Sequence, residues 1–131
     1  MNFKQEKDML LFTSLHPILI MIYADLNWYA KSRHFVDLTI TDTISTLAED
    51  KKLNRTSSSH RECRALDIRT EQADLDPFII SDLVNYINSK AEYKRFHYLS
   101  GGGQKRLAYF HVGNAPHIHL SIHSQFGIKS E

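Results

Sequence analysis

His60 and Asp67 stand seven positions apart in the stretch Ser58-Ser59-His60-Arg61-Glu62-Cys63-Arg64-Ala65-Leu66-Asp67-Ile68-Arg69. Further on, His117 and His119 alternate with apolar residues in Pro116-His117-Ile118-His119-Leu120-Ser121-Ile122-His123. Imidazole nitrogens and carboxylate oxygens are ligands for zinc, and three of them with one open position make a catalytic zinc site. The chain has eight histidines, and five (His97, His111, His117, His119, His123) fall after residue 96, which concentrates potential ligands in one region.

Two local patterns give these residues a common setting. Period-two alternation places Ile118, Leu120 and Ile122 on one face of a strand, and His117, His119, Ser121 and His123 on the other. Asp67 lies between the apolar residues Leu66 and Ile68 on a second expected strand, Ala65 to Arg69. A carboxylate placed there needs a cation, an arginine or a metal, because burying it alone is costly.

The elements that must carry these residues are legible from spacing. Ser14 is a candidate N-cap, Pro17 suits a first helical turn, and Ile18, Ile22, Leu26 and Tyr29 recur at helical spacing, so a helix is expected near 15–32. Val36, Leu38 and Ile40 alternate with polar residues as a half-buried strand. Residues 44–59 are polar and read as a long loop. Asp76-Pro77 is a helix start, and Ile80, Leu83, Val84 and Ile87 supply its buried stripe, giving a helix near 77–90. Phe96 to Ser100 and Leu107 to Val112 read as strands joined by a mobile glycine tip. No phosphate-loop pattern accompanies those glycines.

Composition narrows the class. At 131 residues the chain is most simply one domain, residues 1–131, with room for a hydrophobic core. Its 42% apolar and 24% charged residues are ordinary for a globular protein, and a net charge of +1 gives no reason to expect a nucleic-acid or membrane-surface partner. Cys63 is the only cysteine, which excludes an internal disulfide and a cysteine-rich zinc finger. The apolar run from Met9 to Tyr23 is interrupted by polar residues and is too short for a membrane span. No signal peptide is recognisable, so synthesis in the cytoplasm is expected.

At the two histidine segments the sequence resembles the zinc D-alanyl-D-alanine peptidases, whose fold is shared by the signalling domain of hedgehog proteins. Ser58, His60, Ala65 and Asp67 fill the motif S-x-H-x-x-G-x-A-x-D. Arg64-Ala65-Leu66-Asp67-Ile68 looks like hedgehog's R-A-V-D-I, and Ala115-Pro116-His117-Ile118-His119-Leu120-Ser121-Ile122 looks like its A-H-I-H-C-S-V. The resemblance spans residues 36–123 in order of elements. It implies an α+β domain with a small, mostly antiparallel sheet flanked by helices. It also implies zinc held by His60, Asp67 and His119.

The implied activity is hydrolysis of an amide bond, D,D or L,D, in a peptidoglycan peptide, by a monomer acting at the cell wall as phage or bacterial lytic peptidases do. The alternative is a non-catalytic zinc-stabilised binding domain.

Two departures from the family pattern matter. Cys63 replaces the motif's glycine, at a cost if the position needs a positive φ. No acidic residue lies between Glu92 and Glu131, where most members keep a general base. His117 is the first candidate for that role and His111 the second. Ser58 and Arg64 are candidates for substrate binding, Arg55 and Arg33 for transition-state stabilisation, and Glu62 is expected to face solvent.

Overall fold

The computed structural model describes residues 2–71, 75–99, 103–112 and 115–126. The elements in order are β1 (Asn2–Phe3), α1 (Glu6–Leu11), a 3₁₀ turn (Phe12–Ser14), α2 (Pro17–His34), β2 (Thr39–Asp42) and α3 (Leu47–Lys52). They continue with β3 (Ala65–Arg69), α4 (Pro77–Ser89), a 3₁₀ segment (Ala91–Phe96), β4 (Tyr98–Leu99), β5 (Lys105–Arg106), β6 (Ala108–His111), β7 (His117–Ser121) and a last 3₁₀ turn (Ser124–Phe126).

Five strands form the main sheet in the order β1-β2-β3-β7-β6, and β4 pairs with β5 alone. The fold is α+β as expected, but the main sheet is mixed rather than mostly antiparallel. Its β1–β2 pair is parallel, while β2–β3, β3–β7 and β7–β6 are antiparallel. The cause is the chain's first segment: β1 reaches β2 only through a crossover containing α1 and α2, which delivers the second strand in the same direction. Sequence alternation gave no signal for a two-residue strand.

α2 begins at Pro17 behind His16, whose Nδ1 accepts the Ile18 amide at 3.1 Å, so His16 and not Ser14 is the N-cap. The helix ends at Phe35 in the left-handed conformation. Asp76 caps α4 by accepting the Ile79 amide at 2.8 Å, and Pro77 occupies the first turn. Leu19, Ile22 and Leu26 of α2 and Leu83 and Ile87 of α4 join Ile40, Leu66, Ile68, Ile118 and Leu120 from the sheet in one core. Both helices therefore cover the apolar face of the sheet and leave the polar face open. Among the described residues no helix is long and apolar enough to cross a membrane.

Two regions depart from expectation. The polar stretch read as a loop contains α3, started by a capping box in which Thr46 Oγ1 accepts the Glu49 amide and Glu49 accepts the Thr46 amide, each at 3.1 Å. The register between β2 and β3 slips between Ile40 and Asp42, a bulge that lets Thr41 and Asp42 both line the open face. Of the glycine tip, Gly101 and Gly102 lie outside the described residues, and Gly103 has φ +82°.

Candidate metal centre

β3 and β7 are the central antiparallel pair, and their register sets Asp67 directly opposite His119 and Arg69 opposite His117. On the far side of β7, Tyr109 faces His119 and His111 faces His117. The open face is thus a grid of rows: Asp67–His119–Tyr109, and beside it Arg69–His117–His111. His60 enters from the loop before β3. That loop is closed by Cys63, whose amide donates to the His60 carbonyl at 3.1 Å and whose carbonyl accepts the His16 amide at 2.9 Å.

His60, Asp67 and His119 each bring one ligand atom to a common point, all within 4.8 Å of one another, and this group could hold a metal ion. His60 Nε2 lies 3.1 Å and His119 Nδ1 3.0 Å from Asp67 Oδ1. Those spacings are close to the ~3.3 Å edge of a tetrahedron built on metal–ligand bonds of ~2.0–2.1 Å. His60 Nδ1 lies 2.5 Å from the Thr43 carbonyl. A carbonyl only accepts, so Nδ1 carries the proton, and neutral His60 turns the Nε2 lone pair toward Asp67. Lone pairs of an imidazole and a carboxylate that meet in this way need a cation between them, either a proton or a metal ion. The donor set therefore fits a metal.

The electrostatics express the same demand. Burial works to raise the pKa of Asp67, yet His60 and His119 outweigh it and hold the carboxylate well below its ordinary range. Burial pushes His60 down, but Asp67 pulls it up, and the net shift is upward. For His119 burial prevails over Asp67 and the net shift is downward. One histidine is thus biased toward holding a proton and the other toward offering a lone pair.

The remaining Asp67 oxygen, Oδ2, faces Arg55 Nη2 at 3.7 Å. Arg55 is fixed from behind by an ion pair with Asp42 and by Asp50 Oδ1 at 3.3 Å. Asp50 is buried and also takes Ser45 Oγ at 2.6 Å and Arg61 Nη1 at 3.2 Å. α3 and the β2 bulge thereby set a guanidinium at the rim of the centre. Arg33, the other arginine considered, is exposed on α2 and does not line the groove.

His117 stands beside the three ligands but outside their set. Its Nε2 is 3.6 Å from Asp67 Oδ1, while its Nδ1 donates to the Ala115 carbonyl at 2.9 Å. This hydrogen bond leaves Nε2 as the acceptor of the neutral ring. His111 stacks on His117 with ring centroids 5.0 Å apart and planes 13° apart.

The two candidates for substrate binding are otherwise occupied. Ser58 donates to Glu62 Oε2 at 2.7 Å and does not line the groove. Arg64 does line it, but its Nε binds Glu62 at 2.9 Å, and its Nη1 binds Ser121 Oγ at 3.1 Å and the Ile122 carbonyl at 3.0 Å. Glu62 is buried, against expectation, because these partners draw it inward. Cys63 is half-buried with φ 61° and is no member of the ligand group.

Three contributors carried no sequence signal or a faint one. The Thr43 carbonyl is backbone, and Asp42 arrives through a bulge. Tyr109, whose ring centroid is 5.3 Å from that of His119, shares a strand face with His111 and was readable by alternation. No protein-family model, no curated protein and no solved structure matches this chain.

Proposed function

We propose that this protein is a zinc-dependent metallopeptidase hydrolysing an amide bond, D,D or L,D, in peptidoglycan peptides. The observation that carries the proposal is the convergence of His60, Asp67 and His119 on an open groove with His117 Nε2 beside them. Two neutral imidazoles and one carboxylate suit zinc. Bound there, zinc would supply Lewis acidity toward a carbonyl and lower the pKa of water.

The protein's own groups supply the rest. His117 Nε2 accepts a proton from the attacking water and returns it to the leaving amine, with the ring oriented by Ala115. Arg55, whose Nη2 lies 3.7 Å from Asp67 Oδ2, would add positive charge at the rim for a developing oxyanion. His60 is held by the Thr43 carbonyl and Asp67 by Arg55, so the set is oriented before substrate arrives.

A second reading, a non-catalytic zinc-stabilised binding domain, is favoured by one observation. Asp42, which lines the groove, and the buried Asp50 are both committed to Arg55, so neither is left to act as base.

Metal analysis of the purified protein, run beside turbidity loss of purified peptidoglycan, separates the readings. About one zinc per chain with hydrolysis supports the peptidase, and zinc without hydrolysis supports the binding domain. His60→Ala and Asp67→Ala are expected to lose the metal. Full zinc occupancy in both variants would refute the assignment.

A further inference from the structure

α2 is apolar on two sides. Leu19, Ile22, Tyr23, Leu26 and Ala30 are buried in the core. On the opposite side Pro17, Met21, Ala24, Trp28, Lys31 and Phe35 follow one another at alternating steps of four and three, and all of them are exposed. Met21 is 49%, Trp28 63% and Phe35 87% exposed. This alternation is the seam that one helix offers to another. Lys31, its one charged member, reaches Asp37 Oδ1 at 3.5 Å, past the end of the helix.

The area of the seam bears on what covers it. A whole aromatic side chain carries ~150–250 Å², so Trp28 and Phe35 together present roughly 300 Å² to solvent. With Pro17, Met21, Ala24 and the half-buried Ile18 and Ile20 the seam offers roughly 600 Å², the upper end of what a monomer exposes. Two such seams together bury about 1,200 Å², above the ~1,000 Å² that a specific interface needs.

The seam also complements itself. Lys31, Arg33 and His34 crowd the last turn of α2, and its first turn has no acidic residue, so a parallel pair would bring two basic ends together. An antiparallel pair separates them. With the two-fold axis beside Ala24, whose small side chain lets the helix axes approach to ~8 Å, Trp28 of each copy falls on Met21 of the other. A thioether against an indole is a favourable contact. Phe35 then reaches the start of the other copy's helix.

We infer that the outer seam of α2 is the interface of a two-fold dimer, two copies of this chain packed helix against helix, in place of the monomer that the resemblance implies. The helices cover one face of the sheet and the metal centre opens on the other, so both grooves stay open in the dimer. The inference does not depend on the peptidase reading.

Trp28 is the chain's only tryptophan, so its fluorescence reports on the seam directly. Sedimentation equilibrium of the full chain from ~1 to ~100 µM, the affinity range of a small interface, should show the mass rising from one chain to two. Trp28 emission should shift to the blue over the same concentrations. Met21→Glu, which keeps the reporter, and Trp28→Glu should each remain at the mass of one chain with the helical circular dichroism of the parent. Val112→Glu, at an exposed apolar residue beyond β6 and away from the seam, should leave the dimer intact.

A single-chain mass at every concentration overturns the inference, as does a dimer that survives both seam substitutions or is lost in Val112→Glu. A chain that stays monomeric in solution and shifts its fluorescence only on phosphatidylcholine vesicles would assign the seam to a membrane surface instead.

Discussion

His117 differs from His60 and His119 in one respect: its Nε2 faces Asp67 from 3.6 Å, outside the ligand set, and its side chain is 23% exposed to the groove. On the peptidase proposal, His117→Ala should leave metal content unchanged and lower turnover by ~10²- to 10⁴-fold, the contribution of a positioned acid–base group. Metal analysis and steady-state rates on the same preparation check both halves, and wild-type turnover would move the role to His111. Cys63 offers a separate test, because its φ of 61° is a region that side chains occupy at a cost of roughly 1–2 kcal/mol. Cys63→Gly should be at least as stable as the parent and keep its metal, whereas Cys63→Val, β-branched in that region, should lose more than ~1 kcal/mol in urea denaturation. Side-chain type and period-two spacing set Asp67 on one strand and His117 and His119 on one face of another, whereas the grouping of His60, Asp67 and His119 came from the resemblance to the zinc peptidase motif. The fates of Glu62 and Ser58 were not legible, although their partners are near in sequence, because the turn that brings Ser58 to Glu62 and Glu62 to Arg64 follows neither a helical nor an alternating pattern.

At the scale of elements, α3 shows why a polar stretch is easily mistaken for a loop. It is six residues long, and Asp50 is its only buried residue, so it carries no apolar stripe for periodicity to detect. The readable signal was local: threonine followed three positions later by glutamate. The helix presents Asp50 to Arg55 and Arg61, and Arg55, three residues past the helix end, in turn faces Asp67, so the cap is joined to the centre through a chain of ion pairs. Thr46→Ala should cost ~1 kcal/mol of stability. It should also speed hydrogen exchange in residues 47–55 relative to the core strands, which exchange mass spectrometry would detect. Equal exchange in the two proteins would mean that the cap does not hold the segment. α2, β3, α4 and β7 were legible because each combines a stop or start residue with a long enough pattern. The two-residue strands β1, β4 and β5 are too short to have one.

For the whole molecule, the helical layer is tied by a polar hub as well as by the core. Asp25 of α2 accepts from Tyr86 Oη at 2.8 Å, Lys90 Nζ at 2.7 Å and Tyr93 Oη at 2.6 Å, linking α2 to α4 and the segment that follows it. Burial would raise the Asp25 pKa, but these three donors outweigh it and the net shift is downward, while Tyr93 is pushed up to about 12. A carboxyl group whose folded pKa lies below its unfolded value of ~3.9 adds stability that is complete above that value and is lost as the pH falls through the folded one. Asp25→Asn should therefore cost about 1–3 kcal/mol at neutral pH, the price of leaving these donors poorly matched. The gap between variant and parent should close as the pH drops below ~4, and urea titrations across that range would measure it. A gap independent of pH would assign the effect to packing instead.

The pairing of β3 with β7 also has a meaning in time. Its two strands are separated in the sequence by all of α4, β4, β5 and β6, and the ligands His60, Asp67 and His119 straddle it. Such distant strands pair late, since the closure of a long chain segment must precede any reward from contact. Until then the growing or refolding chain holds histidines but no site. A metal ion held by His60, Asp67 and His119 would therefore find all three side chains together only in the finished sheet, once β7 has joined β3.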